Sequence, residues 1–489
     1  MRYDAAIIGA GANGLAAAAT LGRAGLKVIV LDRATVCGGR AATREFHPGF
    51  RASPFTDEIA PVPGAIFRDL DLARLGAIFV PSPSSLALWP EKKHDILYWH
   101  ESDDFSRLRK RLRETTHAIL AKANGETSAG RTRRWFGPLA EASPWPTIEW
   151  SRQSLADACA AVGDEARASH LVSIALAGRA VDPFLGGSAL NLLTSVRGGT
   201  TVRGLATFAG ALVAAAGNAG AEISTGLEVE DIHLSRGRAT GLHLADGTLI
   251  EARSVISTLD LRRTFFSLFA WQSLPSEVGA RVSCYRHSGG RARLLLALNS
   301  APSLAAEFKR GPVHVAPNLA QFAKAHDAWR DGVVPEHPPL VLRFMSAADP
   351  RLAPQGKAVL TATLGCIPHH LFDGGWTNEK RTALRDSVLA QIETVIPGVA
   401  ASVVGSELIL PSDIEKQLGV TEGDLDGGEI APDQMFAQRG FPNCSGGRTP
   451  LLGLYLGGMS SPAGPLGSCA AGVMAAKAVL ADLGAELLP

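Results

Sequence analysis

Apolar residues in this chain gather into short unbroken runs, and three stretches repeat one layout of run, glycine-rich turn and alanine-rich segment. Ala5 to Ile8 is a strand-length apolar run followed by Gly9-Ala-Gly-Ala-Asn-Gly14. Leu15 to Ala24 is rich in Ala and Leu, Gly25 stands where a helix would end, and Val28 to Leu31 is a second apolar run closed by Asp32. Such runs suit strands covered on both faces, and the alanine-rich segment suits the helix that crosses between them. Further on, Gly198-Gly199-Thr200 precedes a helical stretch from Gly204 to Ala219, and residues 221–232 read as one strand. Asp246-Gly247 makes a hairpin turn, and Ala252 to Ser257 is a further strand. Near the end, Leu454 to Leu456 reads as a strand, followed by a Gly/Pro-rich loop and a helix through Ala470 to Leu483. The pattern predicts an α/β fold.

The first of these units carries chemistry. Gly9 permits the tight turn after the strand, Gly11 lets the backbone approach a pyrophosphate, and Gly14 lets the helix pack close to the strand. Ala12 and Asn13 complete a turn whose amides open the helix. Asp32, at the end of the second strand, can accept hydrogen bonds from both hydroxyls of a ribose and disfavours a 2′-phosphate. A glycine-rich turn alone is weak; here strand, turn, helix, strand and acidic residue all fall at the required spacings, so the unit predicts a dinucleotide.

The next segment decides which one. Arg33 and the Gly38-Gly39-Arg40 turn, ending in Thr43, match the R-x4-G-G-R-x2-[ST] pattern. On these residues the chain resembles the phytoene desaturase/amine oxidase superfamily of flavoproteins. The resemblance implies FAD, with the glycine pair close to the cofactor and the arginines near its diphosphate. It implies that the Val229 backbone contacts the adenine, and that Phe55 and Thr56 run past the isoalloxazine ring. It implies that Gly458, Met459, Leu466 and Gly467 belong to the C-terminal FAD motif, with a helix starting near Leu466 to Ser468 aimed at the flavin pyrimidine. Met459 departs from the pattern, because the superfamily usually has Asp there. His47-Pro-Gly-Phe50, residues 255–263 (VISTLDLRR) and residues 431–435 (APDQM) with Arg448-Thr-Pro450 resemble the phytoene-dehydrogenase-related (pyridine nucleotide-disulphide oxidoreductase domain-containing protein 2-like) branch.

The resemblance implies a discontinuous Rossmann-like FAD-binding domain of the glutathione-reductase type, from residues 1–76, 198–259 and 426–489. An α+β substrate domain, residues 77–197 and 260–425, is inserted into it, with the active site where the two meet. The aromatic and proline-rich pieces at residues 135–138 and 144–146 fall in the insert. The implied reaction is dehydrogenation or desaturation of a C–C bond in a polyene, terpenoid or small cyclic ketone or acid. Alternatives are an amine oxidase acting on a C–N bond and a non-catalytic binding protein on the same fold. No second dinucleotide fingerprint is present, so dioxygen or a quinone is the expected electron acceptor.

Composition sets outer bounds. A chain of 489 residues with net charge +1 carries no electrostatic footprint for nucleic acid, and no apolar run is long enough to span a bilayer. Six scattered cysteines without a CxxC pair argue against a disulfide framework or a zinc site. The expectation is a cytoplasmic protein with a largely apolar small-molecule substrate and no metal; contact with a membrane surface and the oligomeric state stay open. No catalytic base stands out: His287, His369 and His370 are candidates without a distinguishing signal. For Arg439 and Arg448 a solvated face or an ion pair is the expected setting.

Overall fold

The computed structural model describes residues 2–80, 86–88, 97–98, 150–160, 165–194, 200–201, 204–302, 311–315 and 318–485. The pieces at 135–138, 144–146 and 198–199 lie outside the described residues. The first unit folds as its pattern predicts: β1 (Arg2–Ile8), α1 (Ala12–Arg23) and β2 (Val28–Asp32). Gly25 follows the helix with φ +78°, a left-handed value that glycine adopts without strain.

α2 (Glu165–Leu176) precedes α3 (Leu205–Asn218), which leads into an edge of the first sheet. There the expected single strand over 221–232 is two, β3 (Glu222–Thr225) and β4 (Val229–Ser235), broken at Gly226 with φ +73°. β3 pairs in parallel with β2, whereas β4 begins a meander with β5 (Arg238–Leu244) and β6 (Leu249–Ser257) at the other edge. The crossing between edges is held by Gly226 donating to Ala34 and Leu227 donating to Asp32, backbone to backbone. The strand order is β4-β5-β6-β1-β2-β3, with β7 (Leu454–Leu456) parallel to β6. α4 (Ala470–Leu483) closes this half.

The sheet is covered on both faces, which explains the apolar runs at residues 5–8 and 28–31 in its central parallel strands. Ala5, Ile7 and Val30 pack into one core with α1, α3 and α4. Ala6, Ile8, Ile29 and Leu31 pack into another with Leu242, Phe265 and Val282.

A second sheet runs Val403–Ile409, Ala292–Leu298, Ala358–Leu364, Leu340–Phe344, Val313–Val315, Leu86–Leu88, Leu97–Tyr98. Its register gives it two unlike faces. Leu294, Leu296, Leu342, Leu360 and Ala362 enter an apolar core. Arg293, Thr361, Thr363, Arg343 and His314 alternate with them and point the other way. Among the described residues no helix is long and apolar enough to cross a membrane.

Candidate active site

A cavity of about 880 Å³ lies between the first sheet and the polar face of the second, within the range of sites that hold cofactors and small molecules. Its nucleotide end follows from the glycine turns. Gly9 takes φ +101° and α1 begins at Ala12 with Gly11 as its cap, no side chain closing the first-turn amides. Gly9, Gly11, Ala12 and Asn13 line the cavity, so the positive end of the helix dipole faces it. The second turn lies on the first: Gly38, at φ +118°, bridges Gly11, and its amide donates to the Ala10 carbonyl at 2.9 Å. A Cβ on Gly39 would stand 3.2 Å from the Gly11 Cα, and both residues line the cavity. Two stacked glycine turns at a bare helix N-terminus fit a diphosphate.

Asp32 is held by backbone on both oxygens. Oδ2 accepts the Ala10 amide at 2.7 Å and Oδ1 the Ala34 amide at 2.8 Å. Each oxygen keeps a lone-pair direction for a ribose hydroxyl, and the residue lines the cavity. The loop that crosses from β3 to β4 places Leu227 and Val229 beside it.

Phe55, Thr56 and Met459 also reach the cavity, as do Arg33 and Arg40. Both arginines tie loops together: Arg33 Nη2 donates to the Lys416 carbonyl at 2.8 Å and Arg40 Nη1 to that of Leu425 at 2.7 Å. Met459 sets its sulfur 3.5 Å from Arg40 Nη2, in the place where an acidic side chain was expected. The neighbouring serines are engaged in the loop: Ser460 Oγ donates to Gly427 at 2.6 Å and Ser461 Oγ to Gly458 at 2.8 Å.

Four residues expected at the cofactor lie outside the cavity lining. Gly14 and Gly458 sit where a Cβ would run into the carbonyls of Gly9 and Thr258, so their role is close packing. Leu466 is buried in the core, and Gly467 lies off the lining, while Pro465 and Ser468 reach it. The C-terminal helix starts at Ala470, later than the Leu466–Ser468 start read from the sequence, because Cys469 takes a left-handed φ of +68°.

The opposite wall is charged and buried, and the sequence reading missed it. Arg179 grips Asp426 with Nε at 2.8 Å and Nη2 at 3.0 Å, and Arg291 Nη2 reaches the same carboxylate at 2.9 Å. Arg293 pairs with Asp57 at 2.5 Å and Arg343 with Glu58 at 2.6 Å. His287 Nδ1 lies 3.3 Å from Asp424. Burial alone would raise the Asp426 carboxyl, yet Arg179 and Arg291 hold it well below the usual carboxylate range. Burial depresses the Arg291 and Arg40 guanidinium pKa values. Burial also works against a charged His287, but the carboxylates of Asp424, Asp260 and Glu422 together outweigh this and raise the imidazole pKa. The signal for this wall was the run Gly423-Asp-Leu-Asp-Gly-Gly428, two acids in a glycine-bounded turn.

The histidine candidates divide. His287 is buried behind Asp424, and His369 bonds Glu415 at 2.6 Å; neither lines the cavity. His314 does, with Nδ1 2.8 Å from Ser173 Oγ. Arg448 forms the expected ion pair, with Asp482 at 2.7 Å. Arg439 does not: it is 0% exposed and donates to the carbonyls of Met459, Glu429, Gln434, Asp426 and Gly428.

A dinucleotide-binding fold joined to a large cavity with a charged wall fits an FAD-dependent oxidoreductase. Residues 7–70 match the NAD(P)-binding Rossmann-like domain family. The chain is 28% identical to pyridine nucleotide-disulfide oxidoreductase domain-containing protein 2 of Mus musculus, over 98% of this chain and 94% of that protein. It is 26% identical to a phytoene desaturase (neurosporene-forming) of Cereibacter sphaeroides, over 83% and 81%. A redesigned putrescine oxidase shares the fold, with TM-score 0.61 and 15% identity over 98% of this chain and 99% of that one. In sequence the chain is similar to these relatives, and in fold to an amine oxidase.

Proposed function

We propose that this protein removes two hydrogens from a C–C bond of a terpenoid, polyene or small cyclic substrate, with dioxygen or a quinone restoring the flavin. Bound FAD supplies a two-electron acceptor that takes a hydride at N5. Gly9, Gly11, Ala12, Asn13, Gly38 and Gly39 hold its diphosphate, and Asp32 and Val229 its adenosine. Arg33, Arg40, Phe55, Thr56 and Met459 surround the rest, with Gly14, Gly458, Leu466 and Gly467 packing the turns that carry them. In this reading residues 1–76, 198–259 and 426–489 bind the cofactor, and 77–197 and 260–425 supply the arginines of the substrate wall, which pair with Asp57, Glu58 and Asp426.

The carrying observation is the pairing on that wall. Asp57, Glu58, Asp424 and Asp426 each face a guanidinium or an imidazole, so none of these four is left to receive a substrate ammonium. Among the described lining residues no tyrosine or tryptophan is present to cage an amine. Both points favour a C–C substrate over an amine. The chain's task is to orient the substrate and exclude water while the cofactor accepts electrons. Six free cysteines support a reducing compartment, the cytoplasm.

Anaerobic flavin bleaching with a panel of ring ketones, ring acids, carotenoid precursors and amines tests the proposal. Bleaching by a C–C substrate, with a product lighter by two hydrogens, is expected. Bleaching by amines alone overturns it.

A further inference from the structure

The cavity's two ends differ in kind, and the end away from the glycine turns carries an excess of buried positive charge. Arg179 and Arg291 both bond the single carboxylate of Asp426, and Arg40 also acts on it through space. Asp424, the next acid along, faces His287. Two further nitrogens donate to carbonyls at the end of α2: Arg179 Nη1 to Ala175 at 2.9 Å and Arg291 Nε to Ala177 at 3.0 Å. By contrast Arg293 and Arg343 are matched one to one by Asp57 and Glu58. Three buried guanidiniums, those of Arg40, Arg179 and Arg291, share two carboxylates, Asp426 and Asp424, and Asp424 also faces His287. A desolvated cluster with more cationic than anionic groups favours an added anion.

Beside this cluster the wall is apolar. Leu171, Ile174 and Ala177 recur at helical spacing along α2 and its end and line the cavity, as do Leu192 and Val341. The same segment therefore presents an apolar stripe that ends, two residues after Ala177, in Arg179.

Resting on the dehydrogenase reading above, we propose that the substrate is an amphiphilic acid. Its carboxylate binds at Arg291 and Arg179, and its hydrocarbon body lies along Leu171, Ile174 and Val341. A guanidinium suits a carboxylate better than a hydroxyl or a ketone, because its N–H donors are charged, and Arg291 Nη1 has no partner among the described residues. The apolar stripe sets the body's class, a ring or a branched hydrocarbon with no second charge.

The test uses the flavin-loaded protein and four probes on one skeleton: cyclohexanecarboxylate, its methyl ester, cyclohexylmethanol and cyclohexylmethylamine. Binding is read from perturbation of the flavin absorption band and, independently, from the rise in Tm. The carboxylate is expected to bind at least ten-fold more tightly than the other three. Arg291→Gln is expected to lower its affinity by a factor of ten to a hundred while flavin content stays stoichiometric, and Arg291→Lys to recover part of the loss. Equal binding of acid and ester overturns the proposal. So does loss of flavin from Arg291→Gln, which would assign the pair to the cofactor's phosphates. Should Arg291→Gln fail to fold, the acid-to-ester ratio in the unaltered protein still decides.

The two readings fail separately. If the acid binds as described but only amines bleach the flavin, the anchor stands and the C–C reaction falls. If uncharged hydrocarbons bleach it and the acid does not bind, the reaction stands and the anchor falls.

Discussion

Gly472 on α4 lies directly against the backbone of Asn13 on α1, so close that a Cβ at Gly472 would overlap the Asn13 carbonyl. The Gly472 amide also faces the Asn13 Oδ1 at 3.4 Å. The last helix of the chain thereby fixes the turn that begins the first helix, across almost the whole sequence. Gly472→Ala is expected to push α1 away from α4 and to cost roughly 1–3 kcal/mol as an overpacked contact. A lowered Tm together with substoichiometric flavin absorbance in the purified variant would check this; unchanged flavin content would show that the contact does not shape the turn.

Asp32→Ala removes the acceptor of two backbone amides, those of Ala10 and Ala34. Bonds to a charged acceptor contribute about 1.5–3 kcal/mol each, so loss of the carboxylate should weaken FAD by roughly ten-fold or more while the sheet still forms. Titration of the apoprotein with FAD measures the change. Gly11→Val should have a larger effect, because its side chain would fill the space between the stacked turns.

Asp426→Asn leaves Arg179 and Arg291 buried without the carboxylate that both bond. Breaking one side of a buried pair costs about 3–5 kcal/mol, and denaturant unfolding should show a loss of that order. A loss under 1 kcal/mol would mean that water reaches the cluster freely.

The two arginines near the C-terminus should separate sharply. Arg448 makes a partly exposed pair with Asp482, and Arg448→Ala is expected to cost at most about 1 kcal/mol. Arg439→Met strands five buried carbonyls, and at roughly 1–3 kcal/mol for each unsatisfied group it should prevent stable folding. Comparable Tm values for the two variants would contradict the geometry.

His287 makes stability depend on pH. Its folded pKa lies above the ordinary 6.5 because Asp424, Asp260 and Glu422 favour the imidazolium. The stabilisation is therefore fully present below 6.5 and is lost as pH rises through the raised folded value. Asp424, held below its ordinary 3.8, adds a loss only in strong acid. His287→Gln should flatten the alkaline side of the Tm profile; an unchanged slope would place the titration elsewhere.

The nucleotide half of this protein was legible along the chain because its determinants are local. Gly9, Gly11, Gly14 and Asp32 lie within one strand-helix-strand unit, where spacing alone dictates the turn, the close approach and the acid at the strand end. Local reading failed where a single backbone angle redirected the chain: Gly226 split one apparent strand into two on opposite edges, and Cys469 delayed the last helix. It also failed for Arg439, since nothing nearby in sequence announces a guanidinium bound by five carbonyls.

The sequence by itself determined the α/β class, the first glycine-rich unit and the dinucleotide it is built to hold. Only the tertiary structure decided the chemistry of the opposite wall. Its pairs join residues 236 and 247 positions apart, Asp57 with Arg293 and Arg179 with Asp426. No periodicity links such residues, and a charge that looks solvated in the sequence becomes a buried, partnered one only when the second sheet turns its polar face onto the cavity.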